Sequence, residues 1–157
     1  MRKIRSILCA VSCMGMFGMV GCTTEKTPVS AETFSEKMEE AGLTINDQSE
    51  EAPEDFGTSE VKVAFEEGQY QIEYYAFEKE EDAESIYSSM QGQLEDTYES
   101  ANGTVKTSKN VGNYGSYKLS ADGKYYVVSR IGNTLVYSAT TSDYKNQVKK
   151  LVEDLGY

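Results

Sequence analysis

An α+β domain is predicted, with an antiparallel sheet of five to six strands, two long amphipathic helices on one face and a short N-terminal helix. Three observations predict it. Strand-like alternation fills 61–77 and returns over 103–140. A helical stripe with three- and four-residue spacing separates the two blocks over 79–100, and a second such stripe closes the chain. A strongly apolar sheet face needs helices of this kind to cover it. Aliphatic residues on the opposite face keep an α/β/α sandwich open as the alternative, with the short helix capping that face.

At the start of the chain, Arg2, Lys3 and Arg5 precede an apolar run from Ile7 to Val20 that contains no charge. Residues 1–21 therefore read as a secretory signal. The run is shorter than the roughly 20 apolar residues that a membrane-crossing helix takes. It ends in Met19-Val20-Gly21-Cys22, which resembles the lipobox of bacterial lipoproteins. The resemblance implies cleavage just before Cys22 and a diacylglyceryl group on its thiol. It also implies that the membrane is a partner through this lipid, with the protein on the membrane's outer face. Two acyl chains hold a protein on a bilayer durably, where one holds it only marginally. Residues 22–30 then read as the lipidated Cys and a tether, at most roughly 28 Å long over 23–30, and 31–157 as a single domain.

This division changes the charge arithmetic. The whole chain is 157 residues at −11, but its first 21 residues carry +3, so the remaining 136 carry −14. A surface this acidic excludes simple binding to a nucleic-acid backbone. The chain has no His, which removes the usual general base and the commonest transition-metal ligand. Cys9 and Cys13 leave with the signal and Cys22 is consumed by lipid, so no disulfide, metal site or cofactor is expected.

Ser30 is placed to cap a helix over 31–41, with Phe34, Met38 and Ala41 on one face and Gly42 as its stop. Residues 46–60 are acidic, carry Pro53 and Gly57, and read as an irregular loop. A hairpin follows in which Phe65 is expected to face Tyr70, and Val63 to face Ile72. One face then collects Val61, Val63, Phe65, Tyr70, Ile72, Tyr74 and Ala76, and the other Lys62, Gln71, Glu73 and Tyr75. In the long helix, Ala83, Ile86, Tyr87, Met90, Leu94 and Tyr98 form the stripe. The meander has strong two-residue turns at Asp122-Gly123 and Gly132-Asn133. Counting from them pairs Leu119 with Tyr126 and Tyr126 with Ala139, and pairs Tyr117 with Val128 and Val128 with Tyr137. Tyr125, Val127, Ile131 and Val136 fall on the opposite, mixed face. Ser142 is expected to cap the last helix, whose stripe is Tyr144, Val148, Leu151, Val152 and Leu155.

Few residues carry recognisable chemistry. The helix glutamates read as a solvated face. The acidic loop lacks the ligand spacing of an EF-hand. Glu73 and Asp122 are the only strand or turn acids in the sheet region, and no pattern makes them converge as a carboxylate pair must. Arg130 is expected to pair with a helix Glu. Tyrosine is the unusual residue, with twelve in the chain, most of them on core stripes. Tyr75, Phe77 and Tyr125 fall off those stripes and are the candidate binding surface, against packing beneath the N-terminal helix.

The segment from Tyr125 to Ser138, with Arg130-Ile131-Gly132-Asn133-Thr134 at its hairpin and Leu155-Gly156-Tyr157 at the end, is similar to small secreted lipoproteins of Gram-positive bacteria. That family supplies no catalytic residue to carry over. The function expected is a lipid-anchored extracytoplasmic domain that binds a protein or small ligand at the cell surface. An envelope enzyme, a wall-active hydrolase or isomerase using carboxylate and Tyr groups, is the alternative.

Overall fold

The structure is a computed structural model that describes residues 25–52 and 56–157; the segment expected to be a signal and Cys22 lie outside the described residues. Helix α1 spans Ala31–Glu40 and α2 spans Glu80–Thr97. A 3-10 turn at Ser142–Tyr144 leads into α3, Lys145–Asp154. Seven strands make one antiparallel sheet: β1 Thr44–Asp47, β2 Thr58–Glu66, β3 Tyr70–Phe77, β4 Val105–Val111, β5 Tyr114–Ala121, β6 Lys124–Ile131 and β7 Thr134–Thr141. Their order across the sheet is β1-β2-β3-β7-β6-β5-β4. The chain leaves the middle of the sheet at β3, crosses one face as α2 to the far edge, and returns strand by strand until β7 pairs with β3.

The α+β class and the antiparallel sheet are as expected, with corrections in strand count and helix placement. Seven strands are present among the described residues because Thr44–Asp47, whose last two residues fall in the region 46–60 read as loop, pairs with β2 from Thr44↔Phe65 to Asp47↔Lys62. The two long helices lie on opposite faces, which is the sandwich alternative. Phe34 and Met38 of α1, with Val148, Val152 and Leu155 of the C-terminal segment, pack on Ile72, Tyr74, Tyr125, Val127 and Val136. Ala83 and Tyr87 of α2 pack on Phe77, Tyr117, Leu119, Tyr126, Val128 and Leu135 on the other face. Each face thus carries an apolar layer, and burying large side chains on both is the main stabilising contribution.

The local rules account for the ends of these elements. Ser30 Oγ accepts a hydrogen bond from Thr33 N, as a helix cap should. Leu43 rather than Ala41 supplies the last buried contact after α1. No side chain caps α2, whose first turn instead carries Glu80, Glu81 and Asp82 against the positive end of the helix dipole. No side chain caps α3 either, because Ser142 is taken into the 3-10 turn before it.

The meander pairs as the turns dictate, with Leu119↔Tyr126, Tyr126↔Ala139, Tyr117↔Val128 and Val128↔Tyr137. The β2–β3 hairpin does not. Its registers are Glu66↔Tyr70, Ala64↔Ile72 and Val61↔Tyr75, one residue away from the expectation. The loop is three residues long, Glu67-Gly68-Gln69, with Gly68 at φ +74 in the left-handed region that glycine tolerates best. A one-residue slip moves every side chain of a strand to the other face. Val61 and Val63 therefore share the α2 side with Tyr75, while Ile72 and Tyr74 face α1 and α3.

The segment before α1, expected as a free tether, is fixed to the domain. Lys26 N donates to Asn113 Oδ1 at 2.9 Å, and Asn113 Nδ2 donates back to Lys26 O at 2.8 Å. Lys26 Nζ reaches Gly156 O at 2.6 Å and lies 3.8 Å from the centre of the Tyr114 ring. Tyr74 OH donates to Val29 O at 2.7 Å, and Pro28 lies so close to Gly132 that a Cβ there would meet its ring at 2.9 Å.

At the sheet edge, every residue of β4 is exposed, including Val105 at 61%. Leu135, in the middle of the sheet, is fully buried. Leu135→Ala should destabilise the domain by about 2–5 kcal/mol in urea unfolding. Val105→Ala should stay within about 0.5 kcal/mol of the parent.

Candidate functional site

The size of the helix layer decides where the surface opens. An 18-residue helix such as α2 is about 27 Å long and about 10 Å wide, whereas seven strands at about 4.8 Å spacing span about 30 Å. One helix cannot cover that face. α2 lies over β3, β7, β6 and β5, and among the described residues no helix packs over the α2 side of β2 to the same extent.

A cleft of about 400 Å³ forms at this gap. Val61, Tyr75 and Phe77 line it from the sheet, and Ile86 and Met90 from α2, with Ser89 and Gln93 beside them. Gln48, Glu51 and Phe56 line it from the segment that joins β1 to β2, and Thr58 from the start of β2. Phe56 is 50% exposed. The Tyr75 and Phe77 rings stack at 6.4 Å between centroids, with planes 29° apart. The Tyr75 hydroxyl donates to Glu73 Oε2. Burial first, and then the Glu73 carboxylate, push the Tyr75 phenol well above its ordinary value of 10. Tyr75 is therefore a protonated, half-buried aromatic wall at neutral pH.

The three residues proposed as one binding surface are divided by the fold. Tyr75 and Phe77 are neighbours on the α2 side and both line the cleft, Phe77 as a buried wall. Tyr125 belongs to the other face. It is 2% exposed and packs in the layer under α1 and α3, its ring 5.4 Å from Lys145 Nζ. The mixed face on which Tyr125 falls is covered by two helices, so this residue is removed from the candidate surface. Periodicity did not reveal the lining from Ile86, Met90 and Phe56. The two helix residues read as ordinary core positions, and Phe56 stood in an acidic loop.

A second cleft, of about 310 Å³, lies between α2 and the β4–β5 edge, lined by Tyr87, Glu84, Glu95, Asn110, Tyr114 and Arg130. Arg130 is 6% exposed and pairs with Glu80 at 2.9 Å, the helix partner expected of it. Arg130 Nη1 also donates to Gly132 O at 3.1 Å. Asn110, Gly115 and Arg130 stand in register across three strands. A Cβ on Gly115 would meet Asn110 Oδ1 at 2.9 Å and the Tyr87 ring at 3.0 Å, so a residue without a side chain lets Tyr87 lie flat on the sheet. Among the described residues, no group of three or more His, Cys, Asp or Glu is placed to hold a metal ion. None of their helices is long and apolar enough to cross a membrane.

No family model matches the chain, and no curated protein matches it. Among solved structures, the chain is similar to a GTP binding regulator from Thermotoga maritima, with 18% identity over 81% of this chain and 84% of that one and a TM-score of 0.48.

The buried tyrosines set the alkaline limit of the fold. Tyr125 is pushed up to about 12, first by burial and then by Glu153. Tyr74, Tyr126 and Tyr157 are likewise raised, with burial the largest cause in each. A phenol raised in the folded state keeps a proton that the unfolded chain releases, so stability is full below pH 10 and falls as pH rises from 10 towards 12. The urea midpoint should drop across that window, in step with tyrosinate absorbance. The Tyr125 hydroxyl is buried without a hydrogen-bond partner among the described residues. Tyr125→Phe should therefore cost nothing or stabilise by up to about 1 kcal/mol, and should weaken the alkaline loss.

Proposed function

We propose that this chain is a lipid-anchored extracytoplasmic binding domain whose cleft between α2 and β2–β3 takes a small, largely apolar ligand with an aromatic or planar part. The observation that carries this reading is the cleft itself. Its volume of about 400 Å³ lies in the range of about 300–1,000 Å³ in which small-molecule sites are found. Apolar side chains make most of its wall, and the half-buried Tyr75 ring, backed by the buried Phe77 ring, supplies an aromatic contact. Gln48, Glu51, Ser89, Thr58 and Gln93 add a few polar positions for orientation. Among the described residues Glu51 is the carboxylate in the lining, and the Tyr75 phenol stays protonated at neutral pH. The acidity of the chain disfavours an anionic ligand.

The anchor belongs to the same reading. Cys22 at the end of an apolar, positively headed segment is the residue to which lipid would be attached, and the acidic domain beyond it suits a solvated position outside the cell. Mass spectrometry of the mature N-terminus tests this, and an unmodified Cys22 would remove the anchor from the proposal.

For the cleft, a neutral solvatochromic dye such as Nile red should bind one site per chain. Met90→Trp, which fills the cleft from α2, should abolish that binding while the circular dichroism spectrum and urea midpoint stay near those of the parent. Tyr75→Ala should weaken binding about tenfold or more, as loss of a buried aromatic anchor does. Dye binding that ignores both substitutions would show that the ligand site lies elsewhere.

A further inference from the structure

The pinned N-terminal segment has a consequence for orientation, and the inference rests on the lipid-anchor reading above. Lys26 is held by Asn113 and Gly156, and Val29 by Tyr74. Only the four steps from Cys22 to Lys26 precede the first pinned residue, so the lipid lies within about 14 Å of this point even when they are fully extended. A tether this short cannot let a domain with strands about 26 Å long turn freely.

The pinning point lies at one end of the sheet, and that end is a continuous hydrogen-bonded row of turns. Asn113 O accepts from Gly132 N at 2.8 Å. Asn133, next in the same turn, exchanges two bonds with Phe77: Phe77 N donates to Asn133 O at 2.9 Å and Asn133 Nδ2 donates to Phe77 O at 2.8 Å. Glu78 N then donates to Gly57 O at 3.1 Å. This row runs from the tether to Thr58 and Phe77, which line one end of the apolar cleft. From β5 to β2 it crosses four strand spacings, about 19 Å. The turns at 67–69 and 122–123 lie at the other end of the strands.

We propose that this end face, formed by the turns at 112–113 and 132–133 and the junctions at 57–58 and 77–79, is held against the surface of the lipid bilayer, and that the Phe56 side of the cleft lies at that level. Tether length supplies the contact rather than charge. The mature chain is strongly acidic, and the end face mixes Lys26 and Lys79 with Glu78. The turns at 67–69 and 122–123 then point away from the membrane.

Energy transfer from single labelled cysteines to a headgroup-labelled lipid tests the orientation in the intact lipidated chain, reconstituted in phosphatidylcholine vesicles. Lys79 and Glu67 are exposed and lie at opposite ends of β3, so Lys79→Cys and Glu67→Cys report the two ends. The Lys79 label should lie closer to the bilayer by most of the strand length, about 20 Å. A flexible Gly-Ser stretch of about ten residues inserted after Thr24 should bring the two distances together without altering the urea midpoint. Equal distances in the parent chain would overturn the proposal. A difference that survives the insertion would also overturn it, because the strap would not be its cause. A chain that fails to partition with vesicles, or whose Cys22 is unmodified, would remove the anchor reading itself, a result distinct from either.

Discussion

The pairing of β3 with β7 is the constraint on which the molecule depends. It joins an N-terminal half of three strands to a C-terminal meander of four, through Tyr74↔Val136 and Tyr75↔Leu135. Without it each half would have a narrow sheet and too little covered area on either face. Small two- or three-stranded sheets are marginal on their own. Forming this contact means closing the whole excursion through α2 and the meander, so its entropy cost must be met before either apolar layer is complete. At this seam Ile72, Tyr74, Leu135 and Val136 are all at 1% exposure or less.

From that seam the rest follows by geometry. α2 must pass over the sheet to reach β4, so it takes one face, and α1 and α3 are left to cover the other. One helix under a seven-stranded sheet leaves part of its face open, and the apolar cleft is that remainder. Tyr75 is adjacent to the seam and Phe77 ends the same strand. The sheet wall of the candidate site is therefore fixed by the pairing that holds β3 in place.

Much of this was legible in the residues, and the parts that were not have physical reasons. The meander registers could be read because Asp122-Gly123 and Gly132-Asn133 are two-residue turns, which fix pairing by counting. The loop at Glu67-Gly68-Gln69 uses three residues, and that single difference reversed the faces of β2, hiding Val61 as a neighbour of Tyr75. β1 is four residues with no alternation to reveal it; it is a strand because β2 offers it a ladder. A helical stripe says that a helix is covered, but not which face of a sheet covers it, so α2 and α3 could not be separated from the pattern alone. Tyr125 looked free for the same reason. The fixing of Lys26 depends on a side chain amide distant in the chain, Asn113, which imitates the donor and acceptor of a neighbouring strand. No local spacing announces such a contact.

The exposed strand β4 bears on how copies of this protein coexist. An open edge offers unpaired backbone groups to any other strand, and natural proteins guard such edges with lysine. β4 carries Lys106 and Lys109 among Thr107, Ser108 and Asn110, with apolar Val105 and Val111 only at its ends. Two copies meeting edge to edge would bring these ammonium groups together in a strand with little apolar surface to compensate. At high local concentration, where neighbours meet far more often than in dilute solution, this edge would keep the molecules separate rather than letting them grow into a shared sheet.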